Sequence, residues 1–494
     1  MSITPQYETY RYTSEISRLK AQSVVECRLP GSEIGSILTA QAKVYPTETS
    51  CLDGEVKYGG KLLLCIVYED ADGKICRAER GAEFYHKAEE GAITPNCFAK
   101  TSLTVDKITH KREGSGLYFS IVVGAEIAVY GGKQMEYLTG GETLFCKQKE
   151  TEIKKCVCVS GETEGEDEFE TDFLGDILTH SEETFVTKVT ASFGQLETEG
   201  EILLRLCVLK NSGELCSYER VIPFKVTVPC EDAEGEVKAR AKAVVKRAEL
   251  TQETDGETGG KTLFSYALCI DCFLFTSERI TVVDDAFSPS VETRLKKQKD
   301  GDRYLLSVEK CVERIGGKVS LTPLIDGEYT LQCALSPSVE IAVKKAENGW
   351  EAEGLITAEV LLKNKEGGYK KANLSLPFVF PVNSKGELVE AEGIVCGLNI
   401  RRKKDGETDA EAIVKASVCS YIRSEWESVQ ELVTGEEYPE ENAAFSVYSL
   451  RAGEELWDTA KRLRRDPEEL KKSNQGLEFP VKDGARIFVY RQIK

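Results

Sequence analysis

Along most of the chain apolar and polar residues alternate with a period of two, the pattern of strands that bury one face. The alternation is organised into a repeat. GGKLLLCIVYEDADGKICRAERGAEF (Gly59 to Phe84) recurs as EGEILLRLCVLKNSGELCSYERVIPF (Glu199 to Phe224) and again as EGLITAEVLLKNKEGGYKKANLSLPF (Glu353 to Phe378). In each copy a glycine (Gly60, Gly200, Gly354) stands thirteen residues before a second glycine (Gly73, Gly213, Gly367), and a phenylalanine (Phe84, Phe224, Phe378) follows eleven later. An apolar run of strand length, a polar tip ending in glycine and a second alternating run predict a β-hairpin, with the tip glycine supplying the positive φ of the turn. A further strand-like run follows each hairpin: GLYFSIVVGAEIAVYG from Gly116, KTLFSYALCIDCFLF from Lys261 and EAIVKASVCSYI from Glu411. The fold class expected is therefore mainly β, with three tandem all-β, sandwich-like repeats.

Two acidic stretches, GETEGEDEFETD (Gly161 to Asp172) and TGEEYPEEN (Thr434 to Asn442), are short of apolar side chains and are expected as solvated linkers. The expected units are then residues 1–155, a linker at 156–172, repeats at 173–295 and 296–434, a second linker at 435–444, and a terminal unit at 445–494. In the terminal unit the period becomes helical. FSVYSL reads as a short strand, and Leu456, Trp457, Ala460 and Leu463 form one apolar face. Asp466 as cap, Pro467 at the first helical position and Glu469 in a capping box start a second helix, which stops after Asn474. RIFVY (Arg486 to Tyr490) closes a β-α-α-β order.

Charge narrows the partners. With 83 acidic against 64 basic side chains the formal net charge is -19, which argues against a nucleic-acid backbone or an anionic membrane as the main partner. No segment reaches the length of apolar residues that spans a bilayer, and the opening residues lack a basic lead followed by an apolar run, so the expected compartment is the cytosol. The seventeen cysteines are odd in number and sit in runs such as LLLCIVY and LLRLCVL, as buried free thiols do.

Candidate chemistry is sparse. DGETGGKT (Asp255 to Thr262) ends like a phosphate-binding loop, but Asp255 stands where the first glycine belongs, and a strand-like run follows where a helix should open. A hairpin loop is the better reading. Cys156 with Cys158, and Cys269 with Cys272, have metal-like spacings, yet residues three apart on a strand point to opposite faces, so core thiols are expected. His86, His110 and His180 are the only histidines, each without a neighbouring nucleophile pattern, and are read as surface or loop residues. No catalytic residue, metal ligand or cofactor is expected.

The terminal unit resembles the LysM module at Val447, Gly453, Leu456, Trp457, Ala460, Leu470, Asn474, Leu477, Gly484 and Ile487, departing from it at Glu454, Glu455 and Thr459. The tandem repeats, together with ECRLPGSEIGSILTAQAKV (Glu26 to Val44), resemble the SPOCS (spore coat assembly) family of endospore-forming Firmicutes, including clostridial members. The resemblance implies a non-enzymatic sporulation protein of the mother cell cytoplasm. Such a protein helps anchor the coat basement layer to the forespore surface through protein–protein contacts with other coat proteins. It further implies a LysM module that binds the coat ATPase SpoIVA. In glycan-binding LysM modules the groove lies between two loops, which here are Gly453 to Trp457 and Asn474 to Phe479. The alternative is accordingly a peptidoglycan or N-acetylglucosamine-binding protein of the spore envelope. Candidate binding residues are Gly453, Glu454, Glu455, Leu456, Trp457, Lys461, Arg462, Arg465, Asn474, Gln475 and Leu477. Two carboxylates in the sugar loop and the basic run KRLRR (Lys461 to Arg465) favour a protein ligand over glycan.

Overall fold

The structure, a computed structural model, describes residues 3–31, 34–171, 175–235, 237–255, 259–325, 328–347, 349–403, 407–439, 444–482 and 485–490. It is mainly β. The first block contains β1 (Thr4–Pro30), β2 (Ser36–Leu52), β3 (Glu55–Glu69), β4 (Ile75–Glu89), β5 (Phe98–Glu113) and β6 (Gly116–Glu142). The second contains β7 (Phe145–Thr171), β8 (Gly175–Ser192), β9 (Gln195–Lys210), β10 (Leu215–Pro229), β11 (Lys238–Asp255) and β12 (Gly259–Phe287). The third contains β13 (Val291–Thr322), β14 (Tyr329–Ala346), β15 (Gly349–Asn364), β16 (Tyr369–Val382), β17 (Leu388–Arg402) and β18 (Thr408–Glu437).

Each block repeats one antiparallel topology. The long first and last strands pair with each other and the last takes the fifth as neighbour, giving β1-β6-β5, β7-β12-β11 and β13-β18-β17. The middle three strands form a second sheet, β2-β3-β4, β8-β9-β10 or β14-β15-β16, which in the third block is stitched to the first by β13 and β16. In the first block the two sheets bury alternate residues against each other: Val25 and Leu29 of β1 and Phe119 and Ile121 of β6 meet Leu62, Leu64 and Ile66 of β3. The glycine-to-phenylalanine spacing has a direct structural meaning. Gly60 faces Phe84, Gly200 faces Phe224 and Gly354 faces Phe378 across each hairpin, and each ring lies where a Cβ on the glycine would stand. The tip residues Gly73, Gly213 and Gly367 have φ of 76°, 78° and 93°, as the turn requires.

The blocks surround a common centre. Val67, Cys207 and Leu361 occupy the same place in the three hairpins and meet in one buried cluster with Leu38, Leu178 and Leu335. At the other end the extended tips of the long strands interlock, with Met135, Ile153 and Trp426 coming from the first, second and third block.

The acidic segment expected as a linker is instead ladder. Residues 158–171 of β7 pair with β12 from Cys158↔Phe273 to Thr171↔Gly260. Glutamates 162, 164, 166, 168 and 170 alternate strictly and all face solvent, Phe169 faces the core, and Lys261 and Arg247 lie against Glu168 and Glu164. A strand needs only its inner face covered, so acidity alone does not make a linker. The expected boundaries at 155, 295 and 434 fall inside β7, β13 and β18, and the described residues at the start of the 435–444 linker continue β18 to Glu437. Residues 172 and 440–443 of the two expected linkers lie outside the described residues. DGETGGKT spans the turn of the β11–β12 hairpin, where Asp255 pairs with Gly259 and residues 256–258 lie outside the described residues. His180, expected at the surface or in a loop, lies on β8. It is largely buried between blocks, where Lys43 Nζ approaches its Nδ1 at 2.7 Å and contacts Glu182 at 3.2 Å.

After the blocks come β19 (Phe445–Ser449), α1 (Leu456–Leu463), α2 (Pro467–Ser473) and β20 (Arg486–Tyr490), with β19 and β20 antiparallel. Asp466 caps α2 by accepting the Glu468 N–H at 2.8 Å, and Pro467 opens the helix. Ala460, Leu463, Leu470, Ile487 and Val489 form the unit's core. Phe145 and Phe287 of the second block complete it. Among the described residues no helix is long and apolar enough to cross a membrane.

Candidate functional site

The turn at Gly453, with φ of 81°, carries the chain from β19 into α1. It sets the first expected loop against the chain just beyond the second: the Gly453 N–H donates to the Val481 carbonyl at 2.9 Å, and the Val481 N–H to the Glu454 carbonyl at 3.1 Å. The side chains around this seam are largely committed to the protein itself. Burial alone would push the Glu454 carboxyl up, but the Arg451 N–H at 3.0 Å and Arg462 Nε at 2.9 Å hold its pKa below the ordinary value. Glu455 precedes α1, its side chain making no capping bond, while its carbonyl accepts the Thr459 N–H. Leu456 and Leu477 pack at the edge of the core. Asn474 is buried, and its amide donates to the Leu470 and Phe488 carbonyls and accepts the Phe488 N–H at 2.7 Å, tying α2 to β20. Gln475 is exposed, and Gly484 lies outside the described residues.

Trp457 and Lys461 point away from the seam, onto the second block. The indole Nε1 donates to Asp285 Oδ2 at 2.8 Å, Lys461 Nζ contacts both Asp285 oxygens at 2.6 and 2.8 Å, and the indole meets the Phe287 ring edge-on at 5.2 Å. The basic run is divided rather than presented as one patch. Lys461 is held by Asp285, Arg462 by Glu454, and Arg464 lies 3.5 Å over the Tyr438 ring. Arg465 Nε is shut off from solvent. Thus the structure joins the first predicted loop to the chain just beyond the second but leaves little of the two loops' chemistry free. The contacts with Asp285 and Phe287 carried no sequence signal, since DDAF belongs to another repeat's strand.

A different surface is open. Phe445 pairs with Tyr490 and Val447 with Phe488 across β19 and β20, and all four lie on the sheet face turned away from the helices. They are exposed, Tyr490 to 63 %, and Phe445 stacks on Phe488 at 5.9 Å between ring centroids. Such a cluster is unusual in a small unit and marks an interaction surface more often than an accident of packing. The signal was present in RIFVY, whose last four residues are apolar on both faces of the strand. The surrounding charge is also distinctive: residues 445–494 carry eleven basic and eight acidic side chains, a net +3, which leaves -22 on the preceding residues. Among the described residues no group of three or more His, Cys, Asp or Glu is placed to hold a metal ion. Comparison with known proteins finds no family model, no curated protein and no solved structure that matches the chain.

Proposed function

We propose that the chain is a non-enzymatic assembly adaptor of the SPOCS type, in which three β blocks form the body and the LysM-like C-terminal unit docks a protein partner. The observation that carries this reading is the outward apolar face of Phe445, Val447, Phe488 and Tyr490 on the one basic unit of an acidic chain. Aromatic side chains give large contact area at small entropic cost, and the net positive charge of the unit favours an acidic partner surface. The occupant is the coat ATPase of the SpoIVA type that the SPOCS resemblance implies, met at the forespore surface in the mother cell cytoplasm. Engagement of Trp457 and Lys461 with Asp285 favours this over glycan, because the groove's aromatic side chain and nearest cation already have partners.

The test uses the full chain and calorimetric titration with a purified SpoIVA-type ATPase and, separately, chitin oligosaccharides. Binding of the ATPase, lost at least tenfold in the double substitution Phe488→Ser with Tyr490→Ser, is expected. Tight chitin binding without ATPase binding would overturn the proposal in favour of an envelope glycan-binding protein. ATPase binding untouched by the double substitution would overturn the assigned surface.

A further inference from the structure

Where the three blocks meet, away from the C-terminal unit, a cavity of about 380 Å³ is lined by Lys100 and Tyr130 of the first block, Arg240 and Lys242 of the second, and Glu392 and Ser417 of the third. Arg240 sits on β11 opposite Phe273 of β12, and its guanidinium lies over that ring at 4.3 Å and over Tyr421 at 6.0 Å. Its Nε is shut off from solvent and has no hydrogen-bond acceptor. Among the described residues the guanidinium has no ion-pair partner, and it also lines an adjoining cavity of about 310 Å³ between the second and third blocks. Burial works against its charged form, but Tyr421, Cys419, Tyr130 and Glu392 around it outweigh burial and raise its pKa, so the guanidinium stays charged without an acceptor of its own.

The cations nearby are divided in the same way. Lys100 is matched by Asp271 at 2.6 Å, and Arg18 by Glu15 at 2.9 Å. Lys242 has only the Ser102 hydroxyl at 2.8 Å, and Lys310, in the adjoining cavity, only the Val186 carbonyl and the Ser417 hydroxyl. Three cations from two blocks, Arg240 in both cavities, Lys242 in the first and Lys310 in the second, thus have no ion-pair partner among the described residues, on a chain whose acidic residues outnumber its basic ones by nineteen. Of the four carboxylates lining the first cavity, Glu126, Asp271 and Glu390 are paired with Lys20, Lys100 and Arg303; Glu392, which is exposed, lines both cavities and has no ion pair among the described residues.

The geometry points to an oxyanion site at the junction of the three blocks, in which Arg240 takes two oxygens of a phosphate group through its planar fork while Lys242 and Lys310 supply further positive charge. The stacked Phe273 ring fixes the plane of the guanidinium, the arrangement that favours two-pronged recognition over a point charge. A phosphate held there touches groups from separate blocks, so its binding opposes their separation. The site is independent of the partner surface on β19 and β20.

Thermal melting and calorimetry on the full chain at fixed ionic strength test this with inorganic phosphate, a small organophosphate (glycerol 3-phosphate) and citrate as separate probes. With phosphate at about a hundred times its dissociation constant, the melting temperature is expected to rise by about 2 °C or more. Arg240→Met keeps the apolar stem over Phe273 and should abolish the rise. Arg240→Lys keeps the charge but not the fork and should weaken binding about tenfold. Glu392→Gln should tighten it by removing a repelling charge. The control Lys261→Met, at an exposed ion pair on another face, should leave it unchanged. A stronger response to glycerol 3-phosphate than to phosphate identifies an organophosphate, and the reverse identifies the free ion. No response to either, a response to citrate alone, or a phosphate response retained in Arg240→Met would overturn the proposal. So would destabilisation by Glu392→Gln without any effect on phosphate, since that result makes Glu392 the counterion of Arg240. If Arg240→Met fails to fold, Arg240→Lys and Lys242→Met decide the same question.

Discussion

Glu182 is the most tightly held carboxylate between the first two blocks. Burial would raise its pKa, but Lys43, His180 and the Tyr45 hydroxyl together bring it down to about 2. A carboxyl whose folded value lies below its unfolded one, near 4.3, contributes stability above the unfolded pKa that is lost as pH falls through the folded one. The contribution is at most about 3 kcal/mol at neutral pH, reduced by the cost of burying Lys43, whose own pKa burial pushes down. Urea unfolding should therefore show wild type losing more stability than Glu182→Gln between about pH 5 and pH 2, with parallel curves above pH 6; parallel curves throughout would remove Glu182 from the acid response. Asn474 gives a second residue-scale expectation. Its amide bonds three backbone groups, so Asn474→Ala should cost about 2 to 4 kcal/mol locally, seen as faster amide exchange at Phe488 with the β blocks unaffected. Asn474 was legible as a helix stop but not as a clamp, because its partners on β20 lie fourteen residues on. The sequence places His180 at the surface for a related reason: Glu182 lies beside it on β8, but Lys43, which completes the buried group, comes from the first block.

At the scale of elements, the period-two pattern and the glycine spacing carried most of the information. The pairing of Gly60 with Phe84 explains why both recur at fixed separation, since a hairpin fixes cross-strand register once the tip is set. A Cβ on Gly60 would meet the Phe84 ring first and then the Leu103 side chain, so the penalty should depend on the ring. Gly60→Ala should destabilise by about 1 to 3 kcal/mol, and by about 1 kcal/mol less in a Phe84→Leu background. Equal costs in both backgrounds, measured by denaturant unfolding, would show that the ring is not the obstacle. The misread element was β7. Its inner positions between 161 and 167 are Gly, Thr, Gly and Asp, which lack the apolar signature, yet Gly161 and Gly165 are crossed closely by Val228 and Tyr266. Glycine there admits a neighbour's side chain, so the neighbours supply the apolar contact that the strand itself lacks.

At the scale of the whole molecule, the sequence showed three copies of one pattern but not how they assemble, because the residues that meet at the shared centre hold equivalent places in copies more than a hundred positions apart, and equivalence does not say that they touch. The seat of the C-terminal unit is the clearest instance. Asp285 binds both Trp457 and Lys461, and Phe287 extends the unit's core into the second block, so α1 serves as an anchor rather than a free ligand face. Asp285→Ala removes the acceptor of both and leaves a half-buried indole N–H unpaired, which should cost about 1 to 3 kcal/mol at this seam. The expected result is faster hydrogen exchange across α1 and a wider spread of unit positions by small-angle scattering, with the melting of the β blocks unchanged. Because the exposed aromatic face lies on the opposite side of the sheet, ATPase affinity should stay within about threefold of wild type. The same variant separates the two ligand readings. It frees Trp457 beside the two loops, so chitin binding that is absent in wild type and appears in Asp285→Ala would mean that the seam masks a working glycan groove; binding absent in both leaves the outer sheet face as the surface that meets a partner.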